Sequence, residues 1–354
     1  MKNLFSFALI IYSFVGCQSN LDDLPINQIQ LIGSHNSYKI GIDTNLFRYI
    51  TQKDTHDIKG LEYSHIELTQ QLDLGLRNLE LDVYSDTMGG KYANPLGIKM
   101  VKNQPPFDPQ NKMAQAGFKV FHMQDIDFRS HYLLFRDNLI ALKNWSDTHP
   151  THEPIFITMN AKDDVSRNPD FTIPEAFTPH TFDLLEEEIK TYLGIDKLIT
   201  PAQIQGTYPS VEDAVLHFNW TKLKDARGKF IFIVDEVGDK RAAFIQNHPS
   251  LKGRVMFVNA EAGTPEAAIL IINNPLKDGQ KIAEYVKKGY IVRTRADAET
   301  KQARKNDYSQ YEAAKASGAQ IITTDYYQKS SYFPSTYIVR FEGNKYVRKN
   351  PNWQ

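Results

Sequence analysis

Short runs of apolar and β-branched residues alternate along the chain with stretches whose apolar positions recur every three or four residues. The first kind reads as buried strands and the second as amphipathic helices. Their alternation predicts a parallel sheet joined by crossover helices. Eight strands are expected, at 29–33, 77–83, 119–122, 154–159, 230–235, 254–258, 290–294 and 320–324, with 268–272 competing for the sixth position. Eight is the strand number of a TIM-type (β/α)8 barrel, so the fold class is α/β, with room for distortion. Helix punctuation supports the count. Ser64, Glu67 three residues on and Gly75 predict a capped helix over 64–73. Leu134, Leu139, Leu142 and Trp145 share one face of a second helix. Helices over 181–193, 279–288 and 309–317 each run into a glycine and then toward a strand. The segments 337–341 and 345–348, around Glu342, Gly343 and Asn344, predict a short C-terminal β-hairpin. Long irregular stretches at 84–117 and 163–179 follow the second and fourth strands, which puts them on the carboxyl-terminal face of the barrel.

The amino terminus has a different pattern. Lys2 precedes an apolar run over 4–15, and Phe14, Val15 and Gly16 lead into Cys17. The run is shorter than the roughly 20 residues that span a bilayer, and it reads as an export signal. The four residues are similar to a bacterial lipobox, in which a small residue precedes the cysteine that is lipidated. Cys17 is the only cysteine of the chain, so it has no thiol to pair with. The expected organisation is a lipoprotein signal peptide at 1–16, a tether over 17–25 that starts at lipidated Cys17, and a single barrel domain over 26–354. The expected location is a membrane, on the periplasmic side or at the cell surface.

Composition narrows the chemistry. The 41 Lys and Arg against 42 Asp and Glu in 354 residues leave a formal charge of -1, which provides no global field for nucleic acid. Phosphate chemistry here has to rest on local charge. With 41% hydrophobic residues the chain can fill a core.

That local charge gathers at predicted strand ends. The first strand runs into Ser34, His35, Asn36, Ser37 and Tyr38, and the second carries Glu80 and Asp82, two residues apart and so on one face. The third ends at His122, ahead of Asp125 and Asp127, which read as loop solvation or as partners that orient the histidine. The fourth ends at Asn160, with Lys162 beyond it. In a barrel these tops converge, so His35, Asn36, Glu80, Asp82, His122 and Asn160 are expected to share a pocket. Carboxylates with amide oxygens make a hard shell suited to Ca2+ or Mg2+, and the two imidazoles are left to move protons. Lys162, Arg293 and Arg295 are candidates to hold substrate phosphate, and the two arginines are equally suited to neutralising carboxylates. Tyr326, beside Asp325 and Tyr327 above the last strand, is a candidate for contact with substrate hydroxyls.

The segment 33–38, GSHNSY, resembles the opening catalytic motif of the phosphoinositide-specific phospholipase C family. The segment 76–84, LRNLELDVY, resembles its second motif, and Phe121-His122 is similar to its third. The stretches 291–298, IVRTRADA, and 317–327, SGAQIITTDYY, are similar to its bacterial Ca2+-dependent branch. The resemblance implies a barrel with His35 and His122 as the catalytic pair and Asn36, Glu80 and Asp82 as Ca2+ ligands, Asn160 standing where the eukaryotic enzymes carry a glutamate. It implies attack of an inositol 2-hydroxyl on the phosphodiester of a phospholipid; separately from the resemblance, a monomer is expected. Two other readings stay open: an Mg2+-dependent glycerophosphodiester phosphodiesterase or sphingomyelinase D-like enzyme, and an inactive surface lipoprotein that binds a headgroup or polyol.

Overall fold

The structure, a computed structural model, describes residues 21–53 and 58–353. Cys17 and the apolar run before it lie outside the described residues. Ten strands form one sheet: β1 (Ile29–Ser34), β2 (Asn78–Tyr84), β3 (Lys119–Val120), β4 (Ile155–Ala161), β5 (Phe230–Val234), β6 (Phe257–Val258), β7 (Ile269–Ile271), β8 (Ile291–Arg295), β9 (Ile321–Thr324) and β10 (Val347–Lys349). Eight of them run parallel in the order β6-β5-β4-β2-β1-β9-β8-β7. A single parallel bridge from Asn259 to Ile269 joins β6 to β7 and brings the barrel close to full circle. The strands read as apolar runs because both faces are covered; every residue of β2 and β5 is buried. Among the described residues no helix is long and apolar enough to cross a membrane.

The expected barrel is present, with four departures. The segment expected as the third barrel strand is instead β3, an antiparallel flap on the end of β2 that pairs Val120 with Val83. The connection from β2 to β3 holds only a five-residue helix, Leu96–Met100, and a single 3-10 turn. Without a crossover helix the chain cannot return to the foot of the barrel for a parallel strand. The vacant position is filled because both competitors for the sixth position are strands, β6 and β7. The C-terminal reversal forms where it was expected, but it closes with the single antiparallel bridge of Phe341 to Lys345, Phe341 N donating to Lys345 O at 2.8 Å, and no ladder extends from it. β10 instead pairs antiparallel with the start of β1, Ile29 opposite Lys349, on ladder groups that β2 reaches only from Gly33 onward. The helix expected from Ser64 starts at Leu68, capped by the Glu67 carboxylate, which accepts from the Thr69 and Gln70 amides. Finally, the domain begins before residue 26. Asp22 accepts from the Arg227 guanidinium at 2.6 Å and Leu24 O accepts from Leu223 N, so residues 21–25 are docked on the barrel and do not form a free tether.

Candidate active site

The turn after β1 organises the site. Gly33 lets β2 come close: a Cβ there would lie 2.4 Å from the Asn78 Cβ and carbonyl oxygen. Ser34 donates to Gln71, and the Ser37 hydroxyl accepts from the Glu80 amide at 2.7 Å, tying the turn to β2. Asn36 has a φ of 47°, a left-handed conformation that Asn tolerates better than most residues. Its amide donates to the Tyr63 hydroxyl at 2.7 Å and its oxygen accepts from the Tyr38 hydroxyl at 3.2 Å. The reversal leaves the His35 ring at the mouth, its side chain 18% exposed.

Parallel pairing of β2 and β4 sets Asp82 opposite Asn160. The Asn160 amide lies 3.2 Å from Glu80 Oε1 and 2.8 Å from Asp82 Oδ1, so one oxygen of each buried carboxylate points at a common position. The other oxygens face cations. Glu80 Oε2 accepts from Arg293, and Asp82 Oδ2 lies 3.5 Å from the Lys162 ammonium, whose pKa the Asp82 charge raises. Among the described residues no three His, Cys, Asp or Glu side chains gather as a metal centre, so any ion here needs amide oxygens as well. Glu80 Oε1, Asp82 Oδ1 and an Asn160 amide turned to present its oxygen supply that donor set, which suits a hard divalent cation. The expected fourth ligand, Asn36, spends its amide on Tyr63 and Tyr38.

Each histidine rests on a buried carboxylate. His35 Nδ1 lies 2.9 Å from Asp325 Oδ1, while Asp325 Oδ2 is 3.3 Å from Arg295. Burial alone would raise the Asp325 carboxyl; the His35 and His65 rings and the Arg295 guanidinium reverse this and hold it well below the usual carboxylate range. Arg295 also lies 3.2 Å from His35 Nε2. It is as close to Nδ1, at 3.3 Å, and so does not set the tautomer; the Asp325 carboxylate can only accept, so Nδ1 donates to it and in the neutral ring Nε2 is the acceptor. His122 Nδ1 lies 2.8 Å from Asp127 Oδ2, and Lys39 Nζ lies 2.7 Å from Asp127 Oδ1. Burial pushes Asp127 up as well, and Lys39 with His122 outweighs it, leaving the carboxyl below its ordinary value.

His35, Glu80, Asp82, Asn160, Lys162, Arg293 and Arg295 thus form one network of direct contacts. His122 joins it less directly, through Asp127 and Lys39 to the Tyr63 ring, which stacks on His35 with centroids 6.3 Å apart. Two expectations of substrate contact change. Arg293 is buried against Glu80 and Asn273 and neutralises the core. Tyr326 is buried with its ring among Phe333 and Tyr337, and its neighbour Asp325 is the residue at the histidine. Lys39 and the pairing of Asp325 with His35 escaped the sequence reading. Asp325 is 290 positions from His35, and only the adjacency of β1 and β9 brings them together.

A parallel barrel whose carboxyl-terminal end carries two histidine–carboxylate pairs, one of them directly beside acidic oxygens, has the acid–base groups that a barrel phosphodiesterase needs. The chain belongs to the Ca2+-dependent phosphoinositide phospholipase C family, whose model matches residues 24–351. It is accordingly a phospholipase C-type enzyme. Its fold is similar to that of the calcium-dependent phosphoinositol-specific phospholipase C of a Gram-negative bacterium, Pseudomonas sp., in its myoinositol complex. The two share 16% identity with a TM-score of 0.52, over 93% of this chain and 96% of that one. The Ca2+-dependent phosphatidylinositol-specific phospholipase C of Streptomyces antibioticus is also 16% identical, with a TM-score of 0.51, over 86% of this chain and 95% of that one. No curated protein matches the chain.

Proposed function

We propose that this enzyme releases diacylglycerol and a cyclic inositol phosphate from a phosphoinositide-type lipid. The observation that carries this reading is the pair of imidazoles, each giving its Nδ1 to a buried, ionised carboxylate and each still reaching solvent. His35 Nε2 takes the proton of the inositol 2-hydroxyl as its oxygen bonds to phosphorus. His122 gives its Nε2 proton to the diacylglycerol oxygen as the phosphorus–oxygen bond to it breaks. Holding the hydroxyl beside the phosphorus makes the attack intramolecular. Arg295 and Lys162, side chains 15% and 26% exposed, stand near enough to the mouth to meet the phosphate charge. Glu80, Asp82 and Asn160 would hold Ca2+, or Mg2+ as the alternative, and Asn36 would join them only by releasing the Tyr38 hydroxyl from its oxygen. Such an ion supplies charge compensation for the phosphorane oxygens and acidifies the attacking hydroxyl.

A lipid substrate is supported by the rim. Met88, Val165, Ile173 and Val237 are 87%, 65%, 63% and 64% exposed, on the loops that follow the adjacent strands β2, β4 and β5. Apolar side chains exposed around one mouth suit a surface that meets acyl chains. In the same reading residues 1–16 are a lipoprotein signal peptide, Cys17 carries the lipid and the monomeric enzyme works at a membrane.

The test is turnover of phosphatidylinositol, glycerophosphodiesters and sphingomyelin with Ca2+, Mg2+ or chelator. Cyclic inositol phosphate and diacylglycerol in Ca2+, lost with chelator, is the expected result. Ca2+ should also raise the melting temperature of the wild type but not of Asp82→Asn, since binding to the folded state alone stabilises it. Glycerol phosphate or ceramide phosphate as product would establish the other phosphodiesterase reading. Absence of turnover on every phosphodiester would leave a headgroup-binding role.

A further inference from the structure

We propose that Lys39 is a positioning residue for His122: a buried cation that keeps Asp127 a carboxylate, so that His122 retains both ring protons until the leaving oxygen takes one. The inference rests on the reading of His122 as the acid. The Lys39 side chain has no solvent exposure, and neither has that of Asp127. Its ammonium meets one Asp127 oxygen at 2.7 Å and the face of Tyr63, 4.9 Å from the ring centroid. The backbone fixes its position: Lys39 N donates to Asn36 O at 3.0 Å, and Lys39 O accepts from His65 N at 2.9 Å. The turn that aims His35 therefore also delivers the cation beneath His122.

Stability is a poor reason for such a pair, because desolvating two charges offsets most of their attraction, and an apolar pair of the same volume does as well. The chemistry gives a better one. Burial disfavours the charged form of a carboxylate, so without a second cation the pair is biased toward a neutral acid that has taken the Nδ1 proton. The ring would then be neutral, and its remaining N–H is a far weaker acid than an imidazolium. With Lys39 on the second oxygen, Asp127 is balanced whichever protonation state His122 is in. The proton stays on Nδ1, and the Nε2 proton is the one that leaves.

The test is a cycle of variants assayed on phosphatidylinositol vesicles with Ca2+, each checked for folding by its melting curve. His122→Ala is expected to lower kcat by about 10²–10⁴-fold; wild-type kcat in this variant would remove the reading of His122 itself. Lys39→Met is expected to lower kcat by up to about 100-fold with KM unchanged, and Lys39→Arg to recover most of the loss. In the His122→Ala background Lys39→Met should change kcat by less than about twofold, because two residues acting through one group are not additive. An equal loss in both backgrounds, or wild-type kcat in Lys39→Met, would overturn the proposal. Should Lys39→Met fail to fold, Lys39→Met/Asp127→Asn, which leaves neither charge unpaired, is compared with Asp127→Asn alone. Equal kcat is expected, and a lower value in the double variant overturns the role.

Discussion

His35 and His122 each give Nδ1 to one oxygen of a buried carboxylate whose other oxygen faces a cation, yet the two arrangements are assembled differently. Around His122 the carboxylate is local. Asp127 lies five positions on, at the end of a turn in which His122 N donates to Asp127 O and Asp127 N to Met123 O. Around His35 every partner is remote: Asp325 follows β9, Arg295 ends β8, and a second imidazole, that of His65, lies 3.8 Å from the same Asp325 oxygen. One half is a turn that carries its own carboxylate; the other exists only where β1, β8 and β9 are registered. The chemistry repeats, and the dependence on the whole barrel does not.

Removing the imidazoles is the largest perturbation and asks whether the halves are equal in catalysis. Both His35→Ala and His122→Ala should lower kcat by about 10²–10⁴-fold, with melting temperatures near that of the wild type because both rings reach the surface. A steady-state assay in which either variant kept more than a tenth of wild-type kcat would end the parallel between the two.

Removing the carboxylates separates the halves by stability. Asp325→Asn strands the Arg295 guanidinium and takes the ionic partner from both His35 and His65, at a barrel seam. Loss of one partner from a buried ion pair costs about 3–5 kcal/mol, and urea unfolding should show Asp325→Asn at the upper end of that range. Asp127→Asn strands Lys39 and takes the ionic partner from one imidazole, that of His122, in a turn whose backbone bonds survive, and belongs at the lower end. The reverse order would mean that the local turn, and not the barrel seam, carries the greater strain.

The same contrast explains what the sequence could reveal. Six barrel strands were legible because each is an apolar run ending in a turn signal, as at Phe230–Val234. β6 and β7 have two and three residues, too few for a run to distinguish them, and only their rivalry for one position hinted that both exist. The strand-end residues His35, Glu80, Asp82 and Asn160 could be grouped because parallel strands bring their tops together. Asp127 could be weighed as a partner of His122 because it lies nearby in the chain. The links from Glu80 to Arg293 and from His35 to Asp325 span 213 and 290 positions and depend on registers that no local pattern encodes. Lys39 was invisible for another reason: a lysine after a polar turn ordinarily points to solvent, and this one is buried by the fold around it.

The smallest expected effect is a difference in pH dependence. Asp325 and Asp127 are held below the ordinary carboxylate value, so their contributions to stability are present above about pH 3.9 and fade as pH falls below it. The His35 half also contains Asp297, which accepts from the Asp325 amide at 3.0 Å. Burial and the Asp325 charge push its carboxyl up to about 6. Here the sign reverses. The folded chain holds this proton more tightly than the unfolded chain, so the stabilisation is complete below about pH 3.9 and is lost as pH rises through about 6. Between those values Asp297 adds a downward slope to the stability of the His35 half, and Asp127 adds none to the other. Urea unfolding of the wild type and Asp297→Asn at pH 4.5 and 7 should therefore differ in slope, the wild type losing about 1–3 kcal/mol more across the interval. Asp127→Asn should follow the wild-type slope there. Parallel curves for the wild type and Asp297→Asn would mean that Asp325 and Arg295 already balance each other, and that the His35 half is as simply charged as its counterpart.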